Sequence, residues 1–158
     1  MEKQKHLELS LEKALEAYTK GDKARKQFLI DLYGKEHFLT DVKERVIDYP
    51  SACKELNILQ LTEDHFAFMG KDAKRYFNRH QLTIIIRALN EAWEPDFTDS
   101  NYKWYNYPYQ QSNSFSSRVI FDIRHATVGS DLMFKSKELT EYAWKIAKTQ
   151  YIAYHFNK

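Results

Sequence analysis

Cysteine, proline and glycine are all scarce in this chain of 158 residues. A single cysteine, Cys53, excludes an intrachain disulfide and makes a reducing, cytosolic compartment the natural setting. Three prolines and four glycines exclude collagen-like and Pro/Gly-rich disordered classes. The longest aliphatic run is Ile84-Ile85-Ile86, far short of a membrane-spanning helix. No basic-then-apolar leader opens the chain, which argues against a secretory signal. A large charge of one sign is also missing. The net charge is +2, well below the basic balance of a dedicated duplex-DNA binder. The distribution is nevertheless uneven: residues 1–96 carry net −1, and residues 97–158 carry net +3 with 14 of the 24 aromatics.

What is present is a helical period followed by an alternating one. Leu7, Leu11, Ala14, Leu15 and Tyr18 recur at helical spacing, Gly21 stops that helix, and Asp22 can cap the next. The second helix presents Ala24, Phe28 and Leu32 on one face and ends at Gly34, so the pair reads as an αα-hairpin. Shorter pieces follow. One opens at Thr40 or Asp41 and runs through about Ile47. Another carries Pro50 in its first turn and runs through about Leu56. A third is capped by Thr62, with Phe66, Ala67 and Met69 as its apolar part. Gly70 then introduces the longest early helix, roughly 71–93, with a core stripe of Leu82, Ile85, Ile86, Leu89 and Trp93 that Pro95 ends.

Beyond Pro95 the period is two. Lys103 to Tyr109 alternates with Tyr105, Tyr107 and Tyr109 on one side. Ser117 to Arg124 alternates with Val119, Phe121 and Ile123 opposite Arg118, Asp122 and Arg124. Gly129-Ser130 marks a turn before a third short strand, Leu132 to Phe134. Ser136 caps a closing helix from Lys137 to about His155. The expected architecture is α+β: a helical N-terminal part, a three-stranded antiparallel sheet, and a C-terminal helix packed on it. The chain reads as one domain, with the hairpin and short helices over 1–69 and the long helix, sheet and C-terminal helix over 70–158.

Chemistry has little to work with. The histidines, His6, His37, His65, His80, His125 and His155, are scattered without the close spacing of a zinc site. A nucleophile elbow, a P-loop and a dinucleotide-binding glycine pattern are all missing. Glu91, Glu94, Asp96 and Asp99 could converge for a metal-dependent nuclease, but they read equally as a solubilising rim. Cys53, beside Ala52 and Leu56, reads as a buried structural thiol. Residues 52–58 resemble the first half of a helix-turn-helix. The following Thr62-Glu63-Asp64 would place two acids where phosphate should sit, which opposes that reading. The sequence assigns no catalytic residue, no metal ligand and no cofactor.

Longer strings carry a resemblance. They are Leu89-Asn90-Glu91-Ala92-Trp93-Glu94-Pro95-Asp96, then Tyr102-Lys103-Trp104-Tyr105-Asn106-Tyr107-Pro108, then Val128-Gly129-Ser130-Asp131-Leu132-Met133-Phe134-Lys135-Ser136-Lys137-Glu138-Leu139. With Glu141-Tyr142-Ala143, the N-terminal hairpin and Ala52-Cys53-Lys54-Glu55-Leu56, this resembles a group of short uncharacterised proteins encoded by phages and prophages of gut Bacteroidetes. Asp131 departs from the pattern, which implies a basic residue between the turn serine and the strand. The resemblance implies a setting, the host cell cytosol, and no mechanism.

Two clusters remain as binding candidates. Lys71, Lys74, Arg75 and Arg79 form a basic stripe at helical spacing, which also reads as a solvated face. Tyr105, Tyr107 and Tyr109, rimmed by Lys103, Arg118 and Arg124, admit three readings, ranked in this order. They are core beneath the C-terminal helix, a protein interface, or a stacking platform for unpaired bases. Pro108 cannot donate to a ladder, so its strand reads as an edge where another chain can add. The preferred function is a phage-type accessory protein that acts by binding, through a protein partner or self-association and without a membrane. The alternative is a single-stranded nucleic-acid module using the aromatic face, and the third class is an enzyme whose reaction the sequence does not name.

Overall fold

The structure is a computed structural model that describes residues 10–34, 38 and 41–157. Leu7, His6, His37 and Thr40 lie outside them. The chain divides into two compact units, Met1–Asp41 and Val42–Lys158.

The first unit holds helices α1 (Leu11–Thr19) and α2 (Lys23–Tyr33). Asp22 caps α2 by accepting from the Arg25 N–H at 2.9 Å, and Gly34 ends it at φ 93°, where a side chain would be strained. Ala14, Leu29 and Phe38 are buried together, and the Phe38 ring stacks on Tyr18 at 4.8 Å. The expected face of α2 is corrected here. Phe28 and Leu32 are exposed, and Leu29 is the side chain α2 buries.

The second unit is built around α5 (Ala73–Leu89). Leu82, Ile85, Ile86 and Leu89 are essentially inaccessible, and α3 (Val42–Arg45), α4 (Tyr49–Glu55) and α6 (Lys137–Phe156) contribute to the same core together with Val46, Leu132 and Phe134. Asp48 caps α4 through the Ser51 N–H at 2.8 Å, and Pro50 occupies its first turn, where a missing N–H costs nothing. A 3₁₀ run, Glu63–Asp72, enters α5 and breaks at Gly70 (φ 57°). Since this run is not an α-helix, residues 52–72 do not form a helix-turn-helix. α5 stops at Leu89, short of the expected 93, because Glu91 and Ala92 turn left-handed (φ 50° and 65°). Trp93 therefore leaves the helical stripe and is only half-buried.

Strands β1 (Lys103–Gln111) and β2 (Ser114–Asp122) form an antiparallel hairpin, pairing Lys103 with Asp122 through Gln111 with Ser114. The α+β class stands, but the sheet has two strands where three were expected. The segment after Gly129 makes a 3₁₀ turn (Ser130–Leu132), and Phe134 alone bridges to Trp104. Pairing spreads no further because the next groups that could face β1 are used locally: the Leu132 N–H donates to the Gly129 carbonyl at 3.1 Å, and the Ser136 carbonyl accepts from the Thr140 N–H at 3.3 Å as α6 begins. The buried Asn90 braces the other edge of this segment. Its Nδ2 donates to the Met133 carbonyl at 2.7 Å, and its Oδ1 accepts from the Lys135 N–H at 3.1 Å. Those backbone groups point away from β1, and the two bonds tie the segment to the end of α5.

Candidate binding hairpin

The bridge to Phe134 fixes which way each backbone group of the hairpin points. Trp104 exchanges N–H and C=O with Phe134 (3.0 and 2.7 Å), so its polar groups face away from β2. Alternation then turns Asn106 and Pro108 to the same outer side, and Lys103, Tyr105, Tyr107 and Tyr109 towards β2. Pro108 thus lacks its donor on the outer edge of β1 and costs the hairpin ladder nothing. It also blunts that edge against further pairing. The partners of the outward residues, Val119 opposite Asn106 and Ser117 opposite Pro108, likewise point their N–H and C=O away from β1. Among the described residues no strand pairs with that outer edge of β2.

The two faces of the hairpin differ. Trp104, Asn106, Ser117 and Val119 share the face that meets α6. Asn106 is buried there: its Nδ2 donates to the Thr140 carbonyl at 2.8 Å and to the Tyr151 hydroxyl at 3.3 Å, and its Oδ1 accepts from Ser117 at 3.0 Å. Tyr151 is fully buried, and burial pushes its phenol well above the ordinary range. The tyrosines lie on the opposite face, so the expectation that all three pack beneath the C-terminal helix is corrected. Tyr105 is buried, and burial raises its pKa against a hydrogen bond with Thr127 that lowers it. Tyr107 is 51% exposed, and Tyr109 is half-buried with the Arg118 guanidinium 5.3 Å above its ring. Arg118, opposite Tyr107 in the register, has this ring as its partner and, among the described residues, no carboxylate.

The remaining cations divide sharply. Lys103 is not a rim residue. Its side chain is buried, with Nζ donating to Asp99 and to the Asn101 carbonyl (2.9 Å), 5.8 Å from the Phe97 ring. Arg124 is exposed and bounds an open cleft of about 520 Å³ with Ser100, Phe121, Asp122, Ile123 and His125. In the basic stripe, Lys71, Lys74 and Arg75 are exposed and Arg79 is half-buried, but both arginines are engaged by neighbouring groups. Arg75 Nε donates to the Tyr154 carbonyl at 3.1 Å. Arg79 grips both oxygens of Asp131 at 2.6 and 2.7 Å, and Thr83 adds a third bond to that carboxylate at 3.0 Å. Asp131, the departure from the resembled pattern, thus ties the turn before Phe134 to α5.

The acidic residues near the end of α5 are engaged locally as well. Glu91 binds Arg45 and Lys135, both at 2.8 Å, and these bonds hold its carboxyl below the usual range. Asp96 accepts from the Thr98 N–H and hydroxyl, and Asp99 from Lys103 and Asn101. Among the described residues no three His, Cys, Asp or Glu side chains converge to hold a metal.

One feature was not legible in the sequence. An open cleft of about 550 Å³ separates the hairpin from α6, bounded by Asn106, Ser117, Arg118 and Val119 on one side and Lys137, Glu141 and Trp144 on the other. The helical trio is spaced i, i+4, i+7 along one face of α6, which is the signal that could have found it. No family model, no curated protein and no solved structure matches this chain.

Proposed function

We propose that this chain is an accessory protein that acts by binding another polypeptide, a second copy included, and that the β1–β2 hairpin is its binding element. The setting is the one its resemblance implies, a phage- or prophage-encoded protein in the host cytosol. The observation that carries the reading is the tyrosine face. Tyr107 and Tyr109 project away from α6 beside Arg118, and tyrosine with arginine is the composition favoured at protein interfaces. The alternative, a platform for single-stranded nucleic acid, needs several cations around the same rings. Lys103 is consumed by Asp99, and Arg75 and Arg79 are bound to Tyr154 and Asp131, so the rings keep Arg118 and, just beyond the end of β2, Arg124.

The test replaces Tyr107, which is exposed, and Tyr109, which is half-buried. Tyr107→Ala and Tyr109→Ala should leave thermal stability within about 1 kcal/mol, as expected for surface positions, while shifting the protein towards monomer in sedimentation or abolishing capture of its partner. Tight binding of an oligonucleotide at physiological salt, lost in the same variants, would transfer the face to nucleic acid.

A further inference from the structure

We infer that the free edge of β2 receives an extended peptide as an added strand, seated in the cleft between β2 and α6, and that the peptide alternates apolar with acidic side chains. The inference rests on the reading that the hairpin binds polypeptide, and it names the mode. The backbone makes the first demand. Ser117 and Val119 turn an N–H and a C=O each to the outer side of β2, where no described strand meets them, and neither residue is buried. Aligned groups of this kind, at strand spacing, are completed by another extended backbone.

The cleft makes the second demand. Asn106, Ser117 and Val119 bound it from the face towards α6, yet Arg118 bounds it too, and the Arg118 side chain projects from the opposite face over Tyr109. Its presence in the lining brings the cleft round to the strand edge itself. A strand added there has α6 as its second wall, with the indole of Trp144 and the Lys137–Glu141 ion pair (3.7 Å) along it. This is a groove between a strand edge and a helix, and its roughly 550 Å³, open to solvent, takes the side chains that such a strand turns towards α6.

Charge and polarity then set the alternation. Successive side chains of the added strand point to opposite faces. Those towards α6 meet Val119 and Trp144 and are apolar. Those on the other face come beside Arg118, a cation without a carboxylate partner among the described residues, and are acidic. A second copy of β2 fits less well, since it would bring its own Arg118 to the same face.

The probe is an acetylated, amidated hexapeptide of alternating glutamate and valine, titrated into the full-length, ¹⁵N-labelled protein. The amide resonances of Ser117 and Val119 should move, and a lysine–valine peptide should bind at least about tenfold more weakly. Arg118→Glu changes an exposed side chain and should reverse that order. Methylating the peptide's amide nitrogens on alternate residues should abolish binding for one set and spare the other, because successive amides of a strand point to opposite sides. No shift of these amides at about 1 mM peptide, equal loss for both methylated sets, or an unchanged charge preference in Arg118→Glu would overturn the proposal. So would a concentration-dependent dimer that protects the same amides without peptide, which would make a second copy the occupant. If the peptide fails while Tyr107→Ala still abolishes association, the edge mode falls and the hairpin's binding function stands.

Discussion

Two side chains show how differently a single residue can be fixed by its neighbours. Leu89 closes the α5 stripe and has no accessible surface. Leu89→Ala removes buried methyl groups and leaves a cavity, so it should cost about 2–5 kcal/mol. A melting temperature unchanged by it would mean that the stripe is not core. His80 lies on the same helix, between the rings of Tyr49 (6.0 Å) and Phe66 (5.4 Å), and its Nε2 is buried without a hydrogen-bond partner. Burial lowers its pKa. The unfolded chain therefore takes up a proton at His80 near pH 6.5, before the folded chain does. Its contribution to stability is complete above that pH and is lost as the pH falls through the folded value. His80→Phe removes the orphaned nitrogen and keeps the ring contacts. It should gain about 1 kcal/mol at pH 7 and should lose less stability than the parent between pH 7 and pH 5 in chemical denaturation. Part of the acid loss will remain, because His155 is also held low, by burial and by Arg79 and Arg75. An acid limb as steep as the parent's would show that His80 is not its source.

At the scale of elements, what was legible in the sequence was what neighbours in sequence decide. Asp22, Pro50 and Ser136 mark helix starts because capping is a matter of three or four residues. Leu82 to Leu89 declare a core helix by their spacing, and the strand pair shows in its alternation. What was not legible depends on distant partners. The third strand is an exception, lost locally: Leu132 is drawn into a 3₁₀ turn and Ser136 into the cap of α6, so Phe134 alone bridges. Lys103 looks like a rim cation until the 97–101 loop folds over it. The three tyrosines share a face in both readings, but only the Asn106–Thr140 bond reveals that α6 covers the other one. The hairpin turn holds a local strain of its own. Ser112 sits at φ 53° while Asn113 keeps a negative φ, a two-residue turn whose first central position prefers glycine. Ser112→Gly should therefore stabilise the protein by about 0.5–1 kcal/mol, read as a raised urea midpoint at constant slope. A lowered midpoint would place the turn in another conformation.

Over the whole molecule, the excess positive charge of residues 97–158 does not translate into a basic surface at the tyrosines. Lys103 is neutralised by Asp99, Lys137 lies beside Glu141 and Lys135 by Glu91, all on elements that frame the hairpin. The same holds across the molecule for Arg79 with Asp131 and Arg45 with Glu55 and Glu91, so charge that looks available in the sequence is spent holding elements together. Two cations, Arg118 and Arg124, are left on β2 and just beyond it to displace counterions from a nucleic-acid backbone. Each phosphate neutralised on a single strand contributes about −0.7 to the slope of log K against log salt concentration, so binding at this face should show a slope of about −1.4 at most. Fluorescence anisotropy of a labelled single-stranded oligonucleotide, titrated at several salt concentrations, reads that slope directly. A slope two or three times steeper that flattens in Arg118→Ala would mean that the face gathers more charge than its ion pairs leave it, and the hairpin would then be a nucleic-acid platform and not a protein interface.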